Sequence, residues 1–224
     1  MSHPRDLAEY ERFPALHELL DSYASIDYTF TDTPDQPGPA LQAYARLSRD
    51  TPDRLDMAVR EIDELLHIGL ASEEIANDVD LLPRIKPAAG RSVEECLQIA
   101  RDHLIRMAGA DNVVKPMAPQ TKWEWRARFP ELHQLLGAYF HQDFSHDYAS
   151  HDEAIADYSS GAPTDDIRQA VEEIHTLLSL IESDTELSHA ANVLGLEVYP
   201  PKGTSLRQWL TDVSDRLARS VEYR

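Results

Sequence analysis

Apolar side chains recur at steps of three and four residues along most of this chain, and that spacing places them on one face of an α-helix. In the first half the predicted buried positions are Phe13, Leu16, Leu20 and Tyr23, then Leu55, Val59, Ile62 and Leu66, then Val93, Cys96, Leu97, Ala100 and Leu104. In the second half they lie in the stretch 129–140 and then at Ile167, Val171, Ile174 and Leu178, followed by Leu206, Trp209, Leu210, Val213 and Leu217. Strand character is confined to residues 196–199, and one strand cannot form a sheet. The pattern therefore predicts an all-α fold.

Capping residues and proline-rich breaks predict where the helices begin and end. Prolines and glycines, which do not continue a helix, interrupt the pattern at residues 32–39 and 83–90. Ser92 and Glu95 have the spacing of a capping box, in which each side chain bonds the other residue's backbone N–H. The same spacing occurs at Ser183–Glu186 and Ser205–Gln208. Thr164 is predicted to cap the helix that follows it.

The two halves carry the same sixteen-residue pattern. Residues 13–28 read F-P-A-L-H-E-L-L-D-S-Y-A-S-I-D-Y, and residues 129–144 read F-P-E-L-H-Q-L-L-G-A-Y-F-H-Q-D-F, with eight identities in one register. A repeat of this length predicts duplicated structural units. We expect two tandem helical bundle domains, residues 1–112 and 123–224, joined by a linker at 113–122. The predicted register places Phe13 on Phe129, Ile62 on Ile174 and Cys96 on Trp209.

The charge limits the class of partner. The 224 residues include 40 acidic and 21 basic side chains, a net charge of −19, and both halves are acidic. Binding nucleic acid or an anionic membrane needs clustered Lys and Arg, so neither is an expected partner. An acidic surface favours encounter with a basic protein, although it also serves solubility alone. The lack of a secretory signal or membrane-length apolar run, together with the single cysteine, favours a cytoplasmic location.

A group of histidines and aspartates is the strongest candidate for metal or catalytic chemistry. It contains His141, Asp143, His146, Asp147, His151 and Asp152. Imidazole and carboxylate together can hold a divalent ion that activates water, as in helical phosphohydrolases. The two His-Asp pairs are five residues apart and so lie on different helical faces, and residues 1–112 contain no such pair. We therefore predict no metal site, no catalytic residue and no cofactor.

Other recurring polar residues are predicted to be structural. His17 and His133 occupy one repeat position at the edge of the apolar face, which suits a hydrogen-bonded boundary histidine. Asp27 and Asp143 also share a position, and a helix cap or turn bond is favoured there over a contact with a protein partner. Trp123 and Trp125 are separated by two residues, so a helix cannot bury both on one face.

The second copy of the repeat resembles a known protein family. Its segment Gly137-Ala138-Tyr139-Phe140-His141-Gln142-Asp143-Phe144 is similar to the opening of the small all-helical immunity proteins of bacterial contact-dependent growth inhibition systems. In that family a Phe-x-x-Leu helix leads into this motif and a later helix contains Trp. The corresponding residues here are Phe129, Leu132 and Trp209, and the resemblance extends to about Leu217. The first copy matches less well, with Tyr23-Ala24-Ser25-Ile26-Asp27-Tyr28 for the motif and Cys96 in place of Trp209.

The resemblance implies a non-enzymatic protein that neutralises a cognate toxin by covering its active site or substrate surface. Toxins of such systems are commonly nucleases, whose basic surfaces suit an acidic partner. The motif residues are expected to be mainly structural. The expected toxin contacts are the acidic residues in and just after the motif: Asp143, Asp147, Asp152, Glu153 and Asp157. The alternatives are a metal-dependent phosphohydrolase that uses the His-Asp group and an acidic two-repeat adaptor protein.

Overall fold

The protein is described here from a computed structural model, which covers residues 12–51, 53–72, 75, 84–109 and 118–222. Within these residues the structure has eleven α-helices and no β-strand, so the predicted all-α fold is confirmed. The chain divides into two compact units, Met1–Lys115 and Pro116–Arg224. None of the described helices is long and apolar enough to cross a membrane.

The first unit contains four helices among its described residues. They are α1 (Pro14–Ala24), α2 (Pro39–Leu47, followed by a 3-10 turn at Ser48–Asp50), α3 (Asp53–Ile68) and α4 (Val93–Ala108). α3 packs against both α1 and α4, and α2 packs against the same two helices. An isolated bridge joins Thr29 and Lys86.

The buried face of α3 differs from the predicted one. It centres on Ala58, Ile62 and Leu65, whereas the other positions expected there are only half-buried: Leu55, Val59 and Leu66. The reason is that α3 lies between two helices, so its buried face is centred between them rather than on its most apolar side chains. The helix ends at Gly69, whose φ of +86° is in the left-handed region that favours glycine.

The described residues of the second unit form seven helices. They are α5 (Lys122–Arg128), α6 (Pro130–Tyr139), α7 (Phe144–Asp147), α8 (His151–Gly161), α9 (Thr164–Leu180), α10 (Asp184–Val193) and α11 (Leu206–Glu222). α9 is the central helix, since it packs along α11 on one side and α6 on another. α8 contacts both α6 and α11, and α10 contacts α5 and α11.

Helix α5 replaces part of the predicted linker. Thr121 and Glu124 form a capping box, and the helix begins at Lys122, which was the last residue expected in the linker. Residues 113–117 of that linker lie outside the described residues. Trp125 is buried and Trp123 is half-buried, as expected for two side chains that cannot share one helical face.

Most of the predicted caps are present. Ser92 and Glu95 bond each other's backbone N–H groups at the start of α4. Ser183 accepts from the N–H of Glu186, and Ser205 from the N–H of Gln208. The Thr164 prediction was wrong, because Pro163 holds the cap position of α9 and makes no side-chain cap bond there.

Each unit also ties its repeat helix to its central helix through a carboxylate. The N–H of Leu16 in α1 donates to Glu61 of α3 at 2.7 Å. The N–H of Leu132 in α6 donates to Glu173 of α9 at 2.8 Å. Leu16 and Leu132 occupy one position in the sixteen-residue pattern. The two carboxylates satisfy backbone donors that the first turn of a helix leaves without intrahelical partners.

Candidate functional site

The aromatic residues of the second-copy motif form a packed cluster. Phe140 lies edge-on to Trp209 with ring centroids 5.0 Å apart and stacks on Phe144 at 5.7 Å. The ring of His151 lies between Phe144 and Trp209, at 5.1 and 5.9 Å. Its Nε2 donates to the carbonyl of Tyr199 at 3.0 Å, because a carbonyl can only accept. This cluster joins α6, α7, α8 and α11 and fixes the path of the segment between α6 and α8.

Most of the family-motif side chains are therefore structural. Phe129, Leu132 and Phe140 are fully buried, and Phe144 and Trp209 are also in the core. Tyr139 is half-buried, and its ring meets Tyr158 edge-on at 5.3 Å. His141 is half-buried, while Gln142 and Asp143 are exposed.

Two glycines allow the chain after α10 to approach α6 closely. Gly195 has a φ of +102°, and a Cβ atom on it would lie 2.7 Å from the Cα of Gly137. Beyond this contact, the N–H groups of Glu197 and Val198 both donate to the carbonyl of Phe140. Residues 196–199, the one stretch with strand character, thus cap the end of α6 instead of joining a sheet.

His133, at the edge of the apolar face of α6, makes the hydrogen bond that its position predicted. His133 is half-buried, and its Nδ1 donates to the carbonyl of Leu194 at 2.9 Å. The bond ties α6 to the end of α10, next to the glycine contact. His133 is therefore a hydrogen-bonded structural histidine.

The predicted contact residues Asp143 and Asp147 are both exposed; Asp143 directly precedes α7 and Asp147 is its last residue. Asp143 occupies the cap position of α7, but its side chain makes no cap bond, contrary to the expected structural role. Its backbone N–H donates instead to Nδ1 of His141 at 3.2 Å. Nε2 of His141 faces the carboxylate of Asp147 at 3.5 Å.

The other three predicted contact residues, Asp152, Glu153 and Asp157, lie on α8 and are exposed. Asp152 forms an ion pair with Arg216 of α11. Glu153 accepts the N–H of Ala149 at 2.8 Å, and its own N–H donates to the Ser150 hydroxyl, so it also helps to begin the helix.

Asp157 is held by a tyrosine from the loop before α8. It accepts the hydroxyl proton of Tyr148 at 2.8 Å. Burial and this carboxylate raise the pKa of Tyr148 to about 12. Tyr148 therefore keeps its hydroxyl proton at neutral pH and remains a donor to Asp157.

The histidines of the suspected metal group have separate surroundings. His141 faces Asp147, His151 packs in the aromatic cluster, and His146 is exposed. Among the residues that the structure describes, no three His, Cys, Asp or Glu side chains form a group that could hold a metal ion. No observation favours a hydrolase.

Glu173 is one of several buried polar residues that the sequence pattern did not indicate. It is 3% exposed, and its two oxygens accept the N–H of Leu132 and the side-chain amide of Gln169. Burial raises its pKa to about 7, against the opposing effect of these two bonds. The hydroxyl of Tyr158 is buried nearby and has no hydrogen-bond partner in the described structure. The alignment of Ile62 with Ile174 could have identified Glu173, since it pairs the preceding residues, Glu61 and Glu173.

Comparison with known proteins finds a similarity within the second unit. Residues 128–217 match the family model described as CdiI immunity protein. No curated protein and no solved structure matches the chain. The matched span runs from the last residue of α5 into α11 and includes all five predicted contact residues. The resemblance found in the sequence is thus confirmed for this span, while a second copy in residues 1–112 stays a prediction. Over residues 128–217 the second unit of this chain is similar to the CdiI immunity protein family.

Proposed function

We propose that this chain binds and neutralises the toxin of a contact-dependent growth inhibition system, and that its second unit makes the contact. The observation that carries the proposal is the position of the exposed acidic segment, residues 143–157, inside the span that matches the immunity family. An immunity protein inhibits by binding and needs no catalytic group. The proposed mechanism is the covering of the toxin's active site or substrate surface.

The acidic segment suits a basic toxin domain such as a nuclease. Its carboxylates are exposed, and four of the five are held by neighbouring groups: His141, Arg216, the N–H of Ala149 and Tyr148. Side chains already held in place lose less conformational freedom on binding. A nuclease surface that binds phosphates is basic, and a negative partner both accelerates encounter with it and competes with its substrate.

The proposal is tested by binding kinetics with the full chain. We expect the neighbouring gene to encode a large secreted protein, and the probe is the C-terminal domain of that protein. We expect Asp147, Asp152 and Asp157, all changed to Asn, to lower the association rate constant about tenfold at low salt. The effect should shrink at physiological salt, where screening acts within about 8 Å. Dissociation should change less.

A matched control distinguishes an effect of the acidic segment on the association rate from an effect of the protein's net charge. Glu172, Glu182 and Glu186 are exposed residues outside the acidic segment, in α9, α10 and the turn between them. Changing all three to Gln removes the same net charge. If both triple variants slow association equally, the acidic segment is not the steering surface. If the wild-type chain neither binds the domain nor protects cells that express it, the proposed function is wrong.

A further inference from the structure

An open groove with a volume of about 560 Å³ runs between α8 and α11. Five residues of α8 line it at helical spacing, Asp152, Ile155, Ala156, Ser159 and Ser160, and α11 contributes Arg216 and Ser220. Ile155 is 4% exposed and forms the floor, whereas Asp152 and Arg216 stand at the surface. The groove therefore has an apolar base and a charged rim.

Small side chains leave this space open. Ala156, Ser160 and Ser220 occupy positions where larger residues would fill the gap between two packed helices. The helices nevertheless stay joined at the rim by the ion pair between Asp152 and Arg216. The gap is thus wide enough for a side chain from another molecule.

The groove offers mainly hydrogen-bond acceptors. The hydroxyl of Ser160 donates its proton to the carbonyl of Asp157 at 2.9 Å, and that of Ser220 donates to Leu217 at 2.7 Å. A serine oxygen whose proton is used in this way retains lone pairs that accept. The carboxylate of Asp152 is a further acceptor. A donor-rich cation with an aliphatic stem fits such a surface, because the stem can cover Ile155 while the charged end reaches the acceptors.

In the described part of the first unit, the position on α4 that corresponds to Arg216 is covered. The predicted register of Cys96 on Trp209 places His103 where the second unit has Arg216. His103 is 3% exposed, and its Nε2 donates to the carbonyl of Thr33 at 2.6 Å. Arg106, one turn on, donates to the carbonyl of Pro34. The loop before α2 therefore covers this face of α4, whereas the matching face of α11 is open.

We propose that the α8–α11 groove receives an arginine or lysine side chain of the cognate toxin, which takes the place of Arg216 at Asp152. This inference rests on the proposed function and adds the site at which the partner docks. The acidic segment directs the approach of the basic domain, and the groove holds one of its cationic side chains. Arg216 occupies the acceptor site in the free protein.

Filling the groove tests the proposal directly. Ala156→Trp places a large side chain in the groove, and we expect it to weaken binding of the toxin domain by at least about tenfold. Ala218→Trp is the matched control. Ala218 also lies within a helix, α11, and is exposed to solvent, but it does not line the groove. This variant should bind as the wild type does. Thermal melts of both variants, followed by circular dichroism, establish that each is folded.

Removing Arg216 is expected to strengthen binding, whereas filling the groove is expected to weaken it. Arg216→Ala frees Asp152, and we expect tighter binding than in Arg219→Ala, which removes the same charge from an exposed residue outside the groove. If Ala156→Trp is folded and binds normally, or if Arg216→Ala binds no more tightly than Arg219→Ala, the groove is not the docking site. In either case the wild-type chain would still bind the domain, so the proposed function would stand.

Discussion

Glu173→Gln is expected to stabilise the second unit at neutral and alkaline pH and to have little effect in acid. The pKa of Glu173 is about 7, against an ordinary value of 4.5, because burial penalises the ionised carboxylate. Between these two values the folded state keeps a proton that the unfolded state has released. Stability therefore falls as pH rises from about 4.5 to about 7 and is independent of this group above that range. A difference of about 2.5 pKa units corresponds to about 3 kcal/mol.

Glutamine resembles the protonated acid in shape and keeps an oxygen that can accept the N–H of Leu132. The variant should thus match the wild type near pH 4.5 and exceed its stability by up to about 3 kcal/mol at pH 8. Because the other titrating groups are common to both proteins, the difference between the two stability curves isolates Glu173.

The assay is urea unfolding of the full chain at several pH values, followed by tryptophan fluorescence. All three tryptophans, Trp123, Trp125 and Trp209, lie in the second unit, so fluorescence reports on that unit. Glu172→Gln is the control, since this exposed neighbour should change stability by less than about 0.5 kcal/mol at each pH. If the difference in unfolding free energy between Glu173→Gln and the wild type did not vary with pH, Glu173 would not be a buried carboxylate with a raised pKa.

Three further substitutions test the packing of the second unit by denaturation. Trp209→Ala removes the ring that meets Phe140 at 5.0 Å and should cost about 3–5 kcal/mol, measured by circular dichroism; an unchanged melting temperature would place the side chain outside the core. Tyr158→Phe removes a buried hydroxyl without a partner in the described structure and should add about 1 kcal/mol to the urea unfolding free energy; a loss would reveal a bond to that hydroxyl. Gly195→Ala combines a left-handed φ with a clash against Gly137 and should cost roughly 2 kcal/mol or more, whereas Gly203→Ala, where nothing lies within 4 Å, should cost less.

The sequence by itself determined the helical class, most helix starts and the similarity of the second unit to the immunity family. These features depend on local properties. The spacing of Ile167 and Ile174 reports one helical face, and Ser92 with Glu95 bonds groups only three residues apart. The motif from Tyr139 to Phe144 can be recognised in the sequence because its residues are contiguous, and two of them, Phe140 and Phe144, stack in the core.

Tertiary packing decided the features that bring distant residues together. The contact of Glu173 with Leu132 spans 41 residues, and the ion pair of Asp152 with Arg216 spans 64. Periodicity shows that a face is buried but does not show which helix covers it. For this reason the sequence did not show that Glu173 is buried, where the buried face of α3 is centred or that a groove lies beside α8. Each depends on how two helices lie against one another, which the side chains of both helices determine jointly.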